Sequence, residues 1–194
     1  MPAAKASLET PDPLPGDLAI WVFIFAELVV FGILFIAYAI ARSTHIALFD
    51  AAQHAINRTF GFINTGVLLT SSYFVVRAIQ AIRHDQQRTC TYWLVAAMSL
   101  GASFLILKLI EFHQDAARGI TLSSNLFDMF YLSLTFFHFM HVVMAMIILS
   151  VVTYKAYKGR YSATNHTGIE TGASYWHMVD LVWIVLFALV YVMH

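Results

Sequence analysis

The sequence predicts an all-α integral membrane protein, a bundle of five transmembrane helices, and three observations carry that reading. Of 194 residues, 60% are hydrophobic and only 11% are charged, against roughly 25% charged in soluble domains. Mean hydropathy is +0.72. Apolar stretches recur five times with short polar connections, each near the roughly 20 residues needed to cross a hydrocarbon core. All prolines, Pro2, Pro11, Pro13 and Pro15, precede the first stretch, so no span carries a proline kink.

Residues 1–16 form a polar tail. It has no apolar core of its own and reads as an extended segment in water or over a partner, rather than a cleavable signal peptide. Residues 17–194 read as a single transmembrane domain. Its first helix starts near Asp17, an acceptable N-cap, and runs to about Ala41. The second is expected over about 60–82, the third over about 92–112, the fourth over about 127–154 and the fifth over about 173–193. The fourth is long enough to span with tilt. No internal repeat is visible, and short loops imply an up-and-down bundle.

Basic residues set the expected orientation. Lys5, Arg77, Arg83, Arg88, Lys155, Lys158 and Arg160 fall on one side, and only Arg42, Arg58 and Arg118 on the other. The N-terminus is therefore expected in the cytoplasm and the C-terminus outside. Trp21, Trp93, Tyr175 and Trp176 lie near helix ends, as residues of interfacial aromatic belts do.

Several classes are disfavoured. Net charge is zero without a large basic patch, which argues against nucleic acid as a partner. Cys90 is the single cysteine, so no intrachain disulfide is possible. There is no nucleophile with an adjacent base, no phosphate loop and no CxxCH haem-attachment motif.

The ionisable residues inside the apolar stretches are the candidates for function. Glu27 sits mid-helix in Trp21-Val22-Phe23-Ile24-Phe25-Ala26-Glu27. A charged carboxylate there costs about 2.5–3.5 kcal/mol on insertion scales, so a partner helix, a proton or a ligand must offset it. Lys108 and Glu111 share a face of the third helix. They read either as an ion pair at the outer boundary with Lys108 snorkelling, or with Glu111 inside the bundle facing Glu27 or a histidine. Thr135, His138 and His141 share a face of the fourth helix. Chelation of a metal by the two histidines competes there with neutral imidazoles hydrogen-bonded across helices. His177 and Asp180 pair on the fifth, where Asp180, Ile184, Phe187 and Tyr191 form a stripe expected to face the other helices. His138 or His141 opposite His177 is a conceivable b-type haem pair. No Glu-x-x-His motif of a di-iron site occurs. Gly61, Asn64, Leu68, Ser71 and Ser72 on the second helix, with Ala97 and Gly101 on the third, suit close helix approach.

These residues together resemble subunit III of the haem-copper oxidases. The match rests on the Trp21–Glu27 stretch, on Phe104–Glu111, on Phe137-His138-Phe139-Met140-His141-Val142, and most specifically on Tyr175-Trp176-His177-Met178-Val179-Asp180-Leu181-Val182-Trp183. Phe137 and Phe139 stand where the family usually has glycine. Two N-terminal helices of larger members are absent, so the lipid-holding cleft they help form is expected to be reduced. The five-helix form is similar to the branch associated with bacterial nitric oxide reductases.

The resemblance implies an accessory subunit without catalytic residues, metal or cofactor of its own, in the bacterial cytoplasmic (inner) membrane. Its partners would be membrane lipids and a haem-containing catalytic subunit that also carries copper or non-haem iron. It would stabilise that subunit and support proton uptake. Glu27 and Glu111 are then buried, proton-linked acids, and Thr135, His138, His141, His177 and Asp180 an inter-helix polar network. The competing expectations are an independent proton or small-solute conductor and a histidine-ligated metal enzyme.

Overall fold

A computed structural model describes residues 18–56 and 58–193; the expected tail 1–16, the Asp17 cap and His194 lie outside the described residues. The described chain is helical throughout apart from short turns. Helix α1 covers Leu18–Thr44, α2 Ile46–Ala55, α3 Arg58–Arg83, α4 Gln87–Ala117, α5 Leu126–Tyr157 and α6 Thr167–Phe187, continued by a π-helical turn Ala188–Val192. Five spans among the described residues are long and apolar enough to cross a membrane: α1, α3, α4, α5 and α6 with its π turn. Helix ends reach several residues beyond the apolar stretches, into Gln87 and Arg88 or Asp115 to Ala117. A helix keeps its hydrogen bonds as it leaves the hydrocarbon, so polarity marks the membrane boundary rather than the helix end.

Alternating chain direction makes an up-and-down bundle. One end carries the α3–α4 turn and the α5–α6 loop; the other carries α2 and the α4–α5 connection. Helix α6 is the most enclosed span and α1 the least. The bundle packs α3 on α4, α4 on α5, and α6 against α1, α3 and α5. At the α3–α4 turn Asp85 has φ 55°, a left-handed conformation that aspartate tolerates. Its Oδ1 accepts the Ala163 N–H at 2.6 Å, which ties that turn to the α5–α6 loop.

The small stripes do what close approach requires. Gly61, Asn64, Leu68 and Ser71 of α3 are buried, as are Ala97 and Gly101 of α4. The Ser71 hydroxyl donates to the Ala97 carbonyl at 2.9 Å across the α3–α4 seam. A Cβ on Gly101 would lie 2.6 Å from Trp176 Cη2 and 2.6 Å from Met146 Sδ. Here the expectation of an interfacial belt is corrected: Tyr175 and Trp176 are fully buried, with Trp176 filling the space Gly101 leaves.

Helix α2 is absent from the sequence reading. Its ten residues are too few for a span, and its order comes from tertiary contacts. Phe49 is buried edge-on against Tyr38 and Phe127, ring centroids 5.4 Å away in each case. Gln53 Nε2 donates to the Val190 carbonyl at 2.9 Å, and the Tyr38 hydroxyl donates to the Leu189 carbonyl at 3.2 Å. Arg42 Nη1 donates to the Met193 carbonyl at 2.7 Å. A π turn leaves carbonyls without their usual intrahelical donors, and side chains of α1 and α2 supply them. The stripe expected on the last span changes accordingly. Asp180 and Tyr191 are buried but Ile184 is 44% exposed; Trp183 takes the inward place, and the π turn rotates Tyr191 inward beyond it.

Replacing Gly101 with alanine is expected to destabilise the bundle by about 1–3 kcal/mol, the usual range for overpacking. SDS-induced unfolding in detergent micelles followed by circular dichroism checks it. A change inside about 0.5 kcal/mol, typical of neutral surface sites, would show the Trp176 contact to be loose.

Candidate functional site

The ionisable candidates of the spans gather into one large hydrogen-bonded group and two hydrogen-bonded pairs, Glu27–His141 and Ser72–His177. The largest group lies towards the end that carries α2. Lys108 of α4 is 0% exposed, which corrects the expectation of a snorkelling boundary lysine. Its Nζ donates to Glu111 Oε2 at 2.9 Å and to the Tyr191 hydroxyl at 3.0 Å. Tyr191 donates to Glu111 Oε1 at 2.8 Å. The Tyr131 hydroxyl reaches Glu111 Oε1 and Asp115 Oδ2, both at 2.9 Å, so one hydroxyl proton serves two carboxyl groups. Around the ammonium stand the rings of Phe112, Tyr131, Trp183 and Tyr191, with centroids 5.1–5.7 Å from Nζ. A cation over an aromatic face gains about 2 kcal/mol when desolvated, against about 0.5–1 kcal/mol at exposed sites. The group joins α4, α5 and the π turn after α6.

Glu27 belongs to a second site. Its Oε2 lies 2.9 Å from His141 Nε2 of α5. His141 Nδ1 lies 2.7 Å from the Phe137 carbonyl. A carbonyl only accepts, so Nδ1 carries hydrogen and Nε2 faces the carboxyl group. The pair therefore holds one proton between oxygen and nitrogen, as neutral acid and imidazole or as carboxylate and imidazolium. Phe31 and Phe137 pack edge-on to the imidazole at 5.1 and 4.6 Å between centroids. The site is only partly enclosed, with side-chain exposures of 11% for His141 and 19% for Glu27. Glu111 faces neither Glu27 nor a histidine; its partners are Lys108 and two tyrosines.

The remaining candidates separate. Thr135 donates to the Tyr131 carbonyl of its own helix at 2.6 Å rather than across helices. His138 is buried with neither ring nitrogen hydrogen-bonded. It sits in an aromatic box, 5.1 Å from Trp183 and 5.9 Å from Phe104 between centroids. Trp183 in turn donates to Thr65 Oγ1 at 3.0 Å. His177 Nδ1 lies 2.6 Å from Ser72 Oγ and 3.9 Å from Asp180 Oδ2, the latter beyond hydrogen-bond length. The Thr135, His138 and His141 face is thus divided among three surroundings. Among the described residues, no group of three or more His, Cys, Asp or Glu is arranged to hold a metal ion.

Residues 16–194 match the family profile described as cytochrome c oxidase subunit III. The chain belongs to that family. It is 35% identical over 174 residues to "Cytochrome c oxidase subunit 3" of Synechocystis sp., covering 89% of this chain and 73% of the relative. It is 34% identical over 179 residues to the protein of the same name from Thermostichus vulcanus, covering 91% and 86%. "Probable cytochrome c oxidase subunit 3" of Rickettsia felis is 32% identical over 189 residues, covering 88% and 66%. The resemblance drawn from the four motif stretches is thereby established as membership of the haem-copper oxidase subunit III family.

Each motif stretch of this subunit III relative supplies part of a polar contact. The first brings Glu27, the second Lys108 and Glu111, the third His141, and the last His177, Asp180 and Trp183. Tyr131, Asp115 and the aromatic cage escape a sequence reading because each looks ordinary alone. A signal existed: Asp115 is one turn beyond Glu111, and Tyr131 one turn before Thr135.

Breaking the buried ion pair from one side leaves a charge without its partner, at a loss of about 3–5 kcal/mol. Glu111→Gln alone is expected to lose about that much, and Lys108→Met combined with Glu111→Gln to lose less than the single change. A double-mutant cycle in SDS unfolding reads this directly; additive losses would mean the pair is not coupled.

Proposed function

We propose that this chain is an accessory subunit of a respiratory haem-copper oxidase in a bacterial cytoplasmic membrane. It binds beside the catalytic subunit, stabilises it and carries no redox centre of its own. The observation that carries this reading is the division of its surface chemistry. Lys108 and Glu111 close on one another inside the bundle, and Glu27 and His141 close on one another at its partly open flank. The outer face of α1 presents Val22, Phe25, Val29, Ile33, Ile36 and Ile40, all more than 60% exposed. Such a bundle offers apolar flanks to lipid and to another membrane subunit. Haem and copper would reside in that subunit. The names of the relatives favour an oxidase over a nitric oxide reductase with non-haem iron. The basic end of the bundle faces the cytoplasm in this reading, so the N-terminus is inside and the C-terminus outside, and residues 17–194 act as one transmembrane domain.

Support of proton uptake is the finer part of the proposal, and it rests on the Glu27–His141 pair, which holds one exchangeable proton on a partly open flank. In a purified complex carrying Glu27→Gln, haem content and subunit ratio are expected to hold while the rate of proton uptake during turnover falls. An unchanged rate would remove the pair from uptake and leave it a structural clamp between α1 and α5.

Assembly itself is tested by affinity purification of the tagged chain from native membranes in mild detergent. A haem-containing integral membrane partner should co-purify in fixed ratio, visible in the reduced-minus-oxidised spectrum. Recovery of the chain alone under the mildest solubilising conditions would refute the accessory-subunit reading.

A further inference from the structure

A groove between α4 and α5 takes no part in the sites described above. It is lined by Val95, Met98 and Ala102 of α4 and by Met146, Tyr154 and Tyr157 of α5, with a volume of about 530 Å³. Its serine and threonine hydroxyls are occupied by their own helices. Thr91 donates to the Gln87 carbonyl, Ser99 to Val95, Ser150 to Met146 and Thr153 to Leu149, at 2.6–2.9 Å. The walls between Val95 and Ala102 are therefore apolar in practice, and the free hydroxyls are those of Tyr154 and Tyr157 towards the Thr91 end.

Length and charge narrow the occupant. From Thr91 to Ala102 the lining runs about 16 Å at a rise of about 1.5 Å per residue. That is about the depth of one leaflet of a hydrocarbon core some 30 Å thick. At the shallow end a second hollow, lined by Gln87 and Arg88, shares Thr91 and Tyr157 with the groove. Arg88 is exposed and forms no ion pair among the described residues. The same end carries Arg77, Arg83, Lys155, Lys158 and Arg160 against only Asp85 and Glu170 among the described residues, and Glu170 is already paired with Arg83 at 2.8 Å. An excess of positive charge at a membrane surface attracts anionic headgroups. Lys158 lies over the Tyr154 ring at 5.6 Å, which places an aromatic and a cation together at the groove's mouth.

We propose that this groove holds one acyl chain of an anionic glycerophospholipid from the leaflet at the basic end, with the phosphate beside Arg88. It lies between α4 and α5, apart from the cleft that the resemblance ascribes to two further helices of larger family members.

The test uses the full chain reconstituted in vesicles of equimolar phosphatidylcholine and phosphatidylglycerol, extracted in mild detergent and weighed by native mass spectrometry. Phosphatidylglycerol is expected to be retained in preference to phosphatidylcholine. Arg88→Ala should reduce that preference about fivefold, the effect of one basic residue at a membrane surface. Ala102→Leu, and the exposed Ser99→Leu as a second filling variant, should lower retention of either lipid about tenfold by occupying the channel of the chain. Retention equal to wild type in a Ser99→Leu protein with unchanged helicity would overturn the site, and equal retention of the two lipids by wild type would overturn the headgroup assignment. A photoreactive residue at Ser150 in native membranes separates the remaining occupant: a lipid-sized adduct supports the proposal, and a cross-link to another polypeptide refutes it.

Discussion

A lysine ammonium sits fully enclosed at membrane depth, and the packing of three helices follows from that constraint. Lys108 has no exposed surface, so a charge on it must be met within the bundle. Glu111 one turn away meets it electrostatically, Tyr191 completes a hydrogen bond, and four rings turn their faces towards it. Tyr191 reaches this position only because the chain after Phe187 winds as a π turn. That turn exposes carbonyls which Gln53 and Tyr38 then satisfy. The short helix α2, the π turn and the buried ion pair thus form one interdependent structure at one end of the bundle. In lipid, where apolar contact between helices has no advantage over contact with acyl chains, hydrogen bonds and close fit must hold spans together.

Helix α1 is attached differently. It is the least enclosed span, and its polar link to α5 is the Glu27–His141 pair, supported by Phe31 against Phe137 and the imidazole. One flank of that pair stays partly open. A partly open, proton-holding contact on the loosest helix is a different kind of site from the sealed Lys108 group, although both begin as acids in apolar stretches. The division suits a subunit whose interior is rigid at one end and whose flank meets neighbours.

How far each site was legible depends on whether its partners share a helix. Lys108 and Glu111 lie one turn apart, so their pairing is visible in the sequence. Their burial is not, because a lysine near a span's end is compatible with snorkelling. Glu27 announces a need for a partner without naming one. Of the three polar residues on one face of α5, His141 is the one that pairs with a polar group of α1; Thr135 bonds its own backbone and His138 lies among rings, Phe31 of α1 included. Faces a few tens of degrees apart meet different neighbours, and helical periodicity does not resolve that difference.

The amino-acid sequence by itself determined the membrane setting, the five spans, the small-residue seams and the family, because each depends on local composition or on short motifs. The tertiary structure alone decided that Trp176 fills the space above Gly101, that α2 orders against the π turn, and that Lys108 rather than Glu27 is the sealed ionisable group. Those outcomes depend on which side chains meet across helices, and distance along the chain carries no record of that meeting.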